Sequence, residues 1–346
     1  MTEDTRVRIP ILDLRDGDIG DARARTKLGE ALRDALETVG FYYLRGHGVS
    51  AALTGKVFEA ARRFHSQPLQ DKLELRANEH NVGYMPVNGY VSRSSRIAET
   101  SKPNLVEAFF LKRDLAPDHP DVLSNKRFRP ANQWPDLSGF RDTMVEYCDA
   151  MEHMCLRLLP LYAVALGLEP DYFVEAFTEP QYTLRLSHYP PAETGEPDQF
   201  GVAAHTDSSF LTVLAQSELP GLAIHLPDYG WMDAPILEGA FLVNSGDMLR
   251  RWTNHRFLST AHRVVNRNPG RDRYAIPFFF DAGADYPMAC LPSCCDEKHP
   301  ARYEPISYTE YMSWFSSQYD HVREQLDELP DDPGSPDMTP LSTAPR

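Results

Sequence analysis

The stretch HTDSSFLTVLAQ, residues 205–216, places a histidine and an aspartate directly before a short apolar run. Similar apolar runs recur from Tyr182 to Asp281, and turn-forming Gly, Pro, Asn and Asp residues separate them. Many short strands separated by turn-forming residues are typical of a β-sandwich, a jelly roll or a barrel. The strands predicted in this region cover residues 182–189, 210–216, 222–226, 241–243, 262–265 and 273–281.

The segment before this region is predicted to contribute an edge strand, two helices and, between the helices, a short buried strand at residues 41–44. Pro10 lies in the first apolar segment, and a proline cannot donate to a β-ladder, so this strand is placed at a sheet edge. Apolar residues at helical spacing predict a helix over residues 22–38, which Gly40 can end. A second helix is predicted for residues 50–66, and the Pro, Asn, Gly and Ser content of residues 76–136 indicates loops.

Two further helices are predicted around the strands. Apolar residues at alternating steps of three and four predict a long support helix over residues 138–168, with Ser138 as its N-cap and a kink at Pro160. A Ser-x-x-Glu capping box begins a C-terminal helix over residues 307–328. The Gly-Asp pair at residues 246–247 is predicted to form a tight turn between two strands. Together these elements predict the α+β class.

The chain is predicted to form a single domain over residues 1–330. Its N-terminal region of helices and strands covers residues 7–136, and its strand-rich core covers residues 182–285. Residues 331–346 are rich in Pro, Asp, Ser and Thr, and this composition predicts a disordered tail.

The charge balance argues against nucleic acid and membrane partners. The 35 basic and 50 acidic residues give a net charge of −15, and such a surface repels phosphate backbones and anionic lipid. No secretory signal is predicted at the first residues, and no apolar run approaches the ~20 residues that a bilayer requires. The five cysteines show no framework spacing, which indicates free thiols and a cytoplasmic location.

Two imidazoles and a carboxylate form the candidate metal site. His205 and Asp207 lie two residues apart, so on a strand both side chains would face the same side, roughly 6.6 Å apart. The preferred third ligand is His262, which begins another predicted strand. Two histidines and one carboxylate leave coordination positions open, as non-haem iron(II) requires, whereas structural zinc prefers four protein ligands. Three other histidines remain alternatives for the third ligand: His188, His225 and His255.

An arginine lies at the start of a very apolar strand. Arg273 is followed by Tyr274, Phe278 and Phe279. Because an unpaired buried charge is costly, this arginine needs an anionic partner. Its planar guanidinium suits a carboxylate, which either a protein side chain or a bound ligand can supply.

Several motifs of the chain occur in the same order in one enzyme family. They are HTD at residues 205–207, GDML at 246–249, STAHRV at 259–264 and RYA at 273–275, followed by PFF at 277–279. The segments at residues 9–14 and 40–48 resemble the N-terminal region of the same family. From about residue 7 to residue 326, the chain resembles the isopenicillin-N-synthase-like branch of the iron(II)/2-oxoglutarate-dependent dioxygenases.

The resemblance implies a double-stranded β-helix, or jelly roll, flanked by N-terminal, central and C-terminal helices in one catalytic domain. It implies that His205, Asp207 and His262 bind iron(II). It also implies that Arg273 binds the distal carboxylate of 2-oxoglutarate, with Tyr189 near this co-substrate. The implied enzyme is a dioxygenase, of a kind found in secondary metabolism. With dioxygen, it couples oxidative decarboxylation of 2-oxoglutarate to hydroxylation, desaturation or cyclisation of a small organic substrate.

Two positions depart from the family's pattern. The family usually has a serine where this chain has Ala275, and the Asn-Tyr-Tyr-Pro segment of plant members corresponds to SHYP at residues 187–190. Three other functions therefore stay open: a 2-oxoglutarate-independent oxidase of the isopenicillin N synthase type, a non-catalytic ligand-binding jelly roll, and a zinc hydrolase. The motifs identify neither the substrate nor the oligomeric state.

Overall fold

Two β-sheets, with helices packed on the larger one, make up the structure. A computed structural model describes residues 8–17, 19–91, 102–191, 199–226, 228–265 and 268–317. The strands in these ranges are β1 (Ile11–Asp13), β2 (Phe41–Arg45), β3 (Gly83–Met85), β4 (Glu107–Lys112), β5 (Pro180–Tyr189), β6 (Val202–His205), β7 (Leu211–Gln216), β8 (Leu222–Leu226), β9 (Gly230–Asp233), β10 (Phe241–Ser245), β11 (His262–Val264) and β12 (Arg273–Gly283). The helices are α1 (Ala22–Thr38), α2 (Ala51–His65), α3 (Leu69–Leu73), α4 (Pro120–Leu123), α5 (Phe140–Ala165), α6 (Asp247–Trp252) and α7 (Tyr308–Ser316).

The strands divide into a larger and a smaller sheet. The larger sheet has the strand order β1-β2-β10-β7-β12-β5-β4-β3, and the smaller sheet has the order β6-β11-β8-β9. β1 runs parallel to β2, whereas the other paired strands are antiparallel. Because β2 pairs with β10, the N-terminal part of the chain shares a sheet with the later strands. The α+β class is confirmed.

Each face of the larger sheet covers a separate apolar core. One core lies between this sheet and the helices α1, α2 and α5, and it includes Leu36 and Phe64. The other lies between the two sheets and joins Ala275 of the larger sheet to Ile224 and Val264 of the smaller one. His205, His262 and Arg273 lie on β6, β11 and β12, which border this second core.

The N-terminal elements agree with the prediction. α1 has the predicted bounds, and α2 lies within one residue of them at each end. Asp21 and Ser50 cap these helices by accepting hydrogen bonds from backbone N–H groups of the first turn. Gly40 follows α1 with a φ of 73°, which glycine adopts without strain. β1, which follows Pro10, is an edge strand of the larger sheet.

The start of the long helix and one turn were predicted wrongly. α5 begins at Phe140, and its N-cap is Gly139 with a φ of 70°, not Ser138. The helix continues through Pro160. The predicted turn at Gly246 is instead the N-cap of α6, whose first residue is an aspartate. An acidic residue at the N-terminus of a helix is stabilised by the helix dipole, so the same residues that suggested a turn favour a helix start.

Four strands were not predicted. β3 and β4 lie in the region that was predicted to be loops, and β6 and β9 lie between predicted strands. β4 is buried along its whole length, and its end residues Glu107 and Lys112 are charged. It therefore lacks the alternation of apolar and polar residues that marks a half-buried strand.

The C-terminal capping box is present. Ser307 Oγ accepts a hydrogen bond from the N–H of Glu310, whose carboxylate accepts one from the N–H of Ser307. The described part of this helix is Tyr308–Ser316, so its predicted extension to residue 328 and the predicted tail at residues 331–346 lie outside the described residues. No helix in the described ranges is long and apolar enough to cross a bilayer.

Five aromatic rings form a cluster that includes Phe210, in the segment between β6 and β7. Phe177 is 3% exposed, and its ring centroid lies 5.0–6.4 Å from those of Phe173, Phe210, Trp252 and Phe280. These rings belong to the segment after α5, the segment before β7, α6 and β12. The cluster therefore joins helices to the larger sheet.

Phe177→Ala is expected to lower the free energy of unfolding by about 3–5 kcal/mol, because it removes a buried ring and leaves a cavity. Urea denaturation followed by circular dichroism measures the change. Val174→Ala is the control, since Val174 is 65% exposed, and it should change stability by less than about 0.5 kcal/mol. Equal stability of the two variants would contradict this packing role.

Candidate metal centre

His205 and His262 are brought together by the pairing of two strands. His205 is the last residue of β6, and His262 is the first residue of β11. The two residues are register partners in this antiparallel pair. Their ring centroids lie 4.3 Å apart. Strand pairing therefore places two imidazoles side by side although they are distant in sequence.

Asp207 lies in the irregular segment that follows β6, and its carboxylate extends to the two histidines. β6 ends at His205, so the strand geometry predicted for the His-x-Asp pair is wrong. The backbone carbonyl of Asp207 accepts a hydrogen bond of 2.7 Å from the N–H of Asp247, in the first turn of α6. Asp207 Oδ1 then lies 3.7 Å from His205 Nε2 and 3.6 Å from His262 Nε2. The irregular segment after β6 therefore positions the Asp207 carboxylate, a role that the sequence analysis assigned to a strand.

The backbone orients both imidazoles. His205 Nδ1 lies 2.9 Å from the carbonyl oxygen of Ala203, and His262 Nδ1 lies 3.1 Å from that of Thr260. Because a carbonyl only accepts, each Nδ1 carries a proton, and in a neutral imidazole Nε2 is then the nitrogen that can bind a metal ion. Burial lowers the pKa of His205 to about 4, so this imidazole is neutral at pH 7.

Asp207 is held as a carboxylate whose Oδ1 faces the two imidazoles. Its Oδ2 accepts a hydrogen bond of 2.8 Å from Asn244 Nδ2, on β10. Burial raises the pKa of Asp207, but the imidazoles and the Asn244 amide outweigh burial and hold this pKa below its usual range. Burial lowers the pKa of His262, but the Asp207 carboxylate outweighs it, and the net shift is upward. The three ligand atoms lie within 4.8 Å of one another and could hold one metal ion.

The three alternative histidines are engaged elsewhere. Each contacts other side chains: His188 contacts Glu107 and Asp272, His225 contacts Trp231, and His255 contacts Tyr303. None of them belongs to the group formed by His205, Asp207 and His262. The structure brings together His205, Asp207 and His262, the set that the sequence analysis preferred.

A cavity between the two sheets connects this group to Arg273. β5 and β12 line the cavity with alternate residues, which include Ser187, Tyr189 and Arg273. Most of the remaining wall is apolar and comes from both sheets: Phe41, Val202, Leu214, Leu222, Val264 and Phe279. An apolar wall with a few polar groups is typical of a small-molecule site.

Arg273 is buried with part of its hydrogen-bonding capacity unused. It is 1% exposed, and its Nε donates to the carbonyl of Leu219 at 3.2 Å. The guanidinium lies 4.8 Å from the ring centroid of Tyr189. Among the described residues no carboxylate pairs with Arg273, and its Nη1 has no hydrogen-bond partner. Burial lowers the pKa of Arg273, yet a guanidinium stays charged, so the cavity is suited to an anion.

Two family models match most of the chain. Residues 9–137 match the model for the non-haem dioxygenase in morphine synthesis N-terminal region, and residues 180–282 match the 2OG-Fe(II) oxygenase superfamily. The 2-oxoglutarate-Fe(II) type oxidoreductase hxnY of Emericella nidulans is 34% identical over 312 residues, which cover 88% of each protein. The chain belongs to the 2OG-Fe(II) oxygenase superfamily.

Further relatives agree with this assignment. The validamycin A dioxygenase of Streptomyces hygroscopicus subsp. limoneus is 32% identical over 298 residues, which cover 82% of this chain and 79% of that protein. A full-length Neurospora crassa protein in complex with alpha-KG and thymine superimposes with a TM-score of 0.76 and 26% identity, over 94% of this chain and 99% of that one. This 2OG-Fe(II) oxygenase is an oxidoreductase, and the predicted cofactors Fe(II), 2-oxoglutarate and dioxygen are confirmed.

A second group of titratable side chains was not found from the sequence. His65 of α2, Glu107 of β4 and His188 of β5 meet on the face of the larger sheet that packs against α2. Lys72 Nζ lies 2.8 Å from Glu107 Oε2, and the Tyr84 hydroxyl donates to the same carboxylate. The Lys72 ammonium balances the Glu107 charge, so this group needs no metal ion. Its members come from separate elements, and no local motif marks them.

Asn244→Ala is expected to weaken metal binding by roughly 10- to 100-fold, because Asp207 loses the partner that orients its carboxylate. Anaerobic calorimetry with Fe(II) measures the affinity. The control is Asn132→Ala, which removes an amide that bonds the Lys112 backbone away from the metal centre. Asn132→Ala should keep the wild-type affinity. An Asn244→Ala variant with unchanged affinity would show that Asp207 needs no such support.

The stability of the protein should depend on pH through His65. Burial lowers the pKa of His65, so as the pH falls through the ordinary value of 6.5 the unfolded chain gains a proton that the folded chain does not. The stability due to neutral His65 is present above about pH 6.5 and is lost as the pH falls below it. His65→Gln should therefore show a flatter decrease of Tm from about pH 7.5 to about pH 5.5.

Differential scanning fluorimetry across this range provides the measurement. His153→Gln is the matched control, because His153 is exposed on α5, and it should keep the wild-type slope. If both variants keep that slope, His65 does not cause the pH dependence.

Proposed function

We propose that this oxygenase binds iron(II) through His205, Asp207 and His262 and binds 2-oxoglutarate through Arg273 and Tyr189. The proposed reaction couples oxidative decarboxylation of 2-oxoglutarate to oxidation of a C–H bond in a small organic substrate. The outcome is hydroxylation, desaturation or cyclisation. One observation carries the proposal: a buried guanidinium, whose Nη1 has no hydrogen-bond partner among the described residues, shares a cavity with the His-Asp-His group.

The donor atoms of the three side chains fit an iron(II) ion. Two imidazole nitrogens and one carboxylate oxygen are the donor set of many mononuclear non-haem iron oxygenases, and they leave other coordination positions open. When bound, iron(II) and 2-oxoglutarate supply the activation of dioxygen and the electrons that the reaction requires. The Asn244 amide and two backbone carbonyls hold the donors in place before a metal binds.

Arg273 and Tyr189 form the proposed carboxylate end of the cavity. The planar guanidinium can present parallel N–H groups to a carboxylate, which fixes orientation as well as position. Tyr189 is the register partner of Arg273 in the pairing of β5 with β12. Its ring lies against the guanidinium and limits the directions in which the arginine side chain can point.

The substrate class and the extent of the catalytic unit are further parts of the proposal. The relatives described above are named for, or were crystallised with, the small molecules validamycin A and thymine, and we infer that this chain also acts on a small molecule. The two sheets that enclose the cavity would form the double-stranded β-helix. Residues 1–330 would act as one catalytic domain, an arrangement that the pairing of β2 with β10 supports.

Anaerobic titration of the Fe(II) protein with 2-oxoglutarate tests this proposal. We expect a visible metal-to-ligand charge-transfer band for the wild type and no band for Asp207→Ala, which should fail to bind iron(II). Arg273→Met should still bind iron(II) but raise the Kd of 2-oxoglutarate by at least about 30-fold, because it removes one partner of a buried charge pair.

Arg271→Met is the matched control, since the Arg271 side chain is 60% exposed and lies two residues from Arg273. It should bind 2-oxoglutarate as the wild type does. Two results would contradict the proposal. One is iron(II) binding by Asp207→Ala that equals that of the wild type. The other is dioxygen consumption without release of succinate, which would support an oxidase of the isopenicillin N synthase type.

A further inference from the structure

Ser187 carries a buried hydroxyl without a partner. The residue is 1% exposed, and among the described residues its Oγ makes no hydrogen bond. A buried hydroxyl without a partner has lost its hydrogen bonds to water and has gained none from the protein. Such groups are rare in folded proteins unless a ligand or a buried water molecule binds them. Ser187 lies within β5, which pairs with β4 on one side and β12 on the other. Its direction is therefore set by the sheet.

The Ser187 side chain faces the cavity. Successive residues of a strand point to opposite faces of the sheet. Leu184 and Leu186 of β5 belong to the core beneath the helices, whereas Ser187 and Tyr189 line the cavity between the sheets. The unpaired hydroxyl thus borders the space that extends from Arg273 to the candidate metal ligands.

Ser187 is also a close neighbour of the arginine anchor. In the pairing of β5 with β12, Tyr189 lies opposite Arg273 and Ser187 lies opposite Ala275. Residues on the diagonal of such a pair are about 7–8 Å apart, a distance that a long side chain and a bound carboxylate can span. Ala275 offers no side-chain donor beside Arg273. The neighbouring strand β5 offers two hydroxyls that line the cavity, that of Tyr189, which lies opposite Arg273, and that of Ser187.

We propose that Ser187 Oγ donates a hydrogen bond to the carboxylate that Arg273 binds and thereby contributes to the affinity for 2-oxoglutarate. This inference rests on the proposed function. Within the part of the chain that the structure describes, Arg273 Nη1 and the Ser187 hydroxyl are both buried donors without partners, and one carboxylate can satisfy both. A buried water molecule would also satisfy Ser187, but it would leave the affinity for 2-oxoglutarate independent of the hydroxyl.

The Kd of 2-oxoglutarate, measured by anaerobic calorimetry on the Fe(II) protein, tests the contact. Ser187→Ala should raise this Kd roughly tenfold or more, as expected for the loss of a hydrogen bond to a charged group. Addition of Ala275→Ser to Ser187→Ala should recover most of the loss, because it offers a hydroxyl from the opposite strand. Ser259→Ala is the matched control, since Ser259 Oγ also has no partner in the described ranges but Ser259 does not line the cavity.

A second ligand identifies which end of the co-substrate the hydroxyl contacts. 2-Oxopentanoate has a methyl group where 2-oxoglutarate has its distal carboxylate. Its Kd should be the same for the wild type and Ser187→Ala. In the absence of ligand, Ser187→Ala should melt at the wild-type temperature or above it, because the substitution removes an unsatisfied polar group.

The same measurements separate failure of this inference from failure of the proposed function. Weaker 2-oxoglutarate binding by Arg273→Met together with wild-type binding by Ser187→Ala would overturn only the role of Ser187. Equal weakening of 2-oxoglutarate and 2-oxopentanoate by Ser187→Ala would overturn the contact with the distal carboxylate. A wild-type protein that binds no 2-oxoglutarate would overturn both proposals.

Discussion

The antiparallel pairing of β6 with β11 sets His205 opposite His262, and the other features of the site depend on this pairing. The strands fix the two imidazoles, so an irregular segment has to position only the Asp207 carboxylate. The backbone carbonyl of Asp207 accepts a hydrogen bond from the first turn of α6, and this contact holds the segment in place. Gly246 makes the close approach possible, because a Cβ at this position would collide with the backbone of Ser209. The irregular segment after β6 and Gly246 therefore both help to position the Asp207 carboxylate.

The charges that line the cavity explain why an anionic co-substrate fits it. Asp207 contributes one negative charge, and each imidazole would bind iron(II) as a neutral ligand through Nε2. With iron(II) bound there, Asp207, the metal and Arg273 together would carry two positive charges, and Arg185 also lines the cavity. In a space shielded from water, this excess of positive charge favours a ligand that carries carboxylates.

Much of the fold could be predicted because amphipathic helices show regular spacing, as in α1, and because apolar runs between turn residues mark short strands, as in β8. β4 could not, because its apolar residues lie between the charged Glu107 and Lys112, in a segment rich in Pro, Asn, Gly and Ser. The residues of the candidate site could be named from motifs, but the turn that orients Asp207 depends on its contact with α6, far along the chain. The partners of Ser187 and Glu107 are set by tertiary packing, so the sequence carries no local signal for them.

The buried charges around Glu107 also bear on the cavity, although they lie on the other face of the larger sheet. His188 stands between Ser187 and Tyr189 on β5, and its Nδ1 lies 2.6 Å from Glu107 Oε1. A slip of β5 by one residue would turn Ser187 and Tyr189 toward the helices and His188 into the cavity. It would also separate His188 from Glu107, which is 4% exposed, and loss of a partner is costly for a buried carboxylate. The Glu107 contacts on one face therefore stabilise the register that places the proposed co-substrate residues on the other.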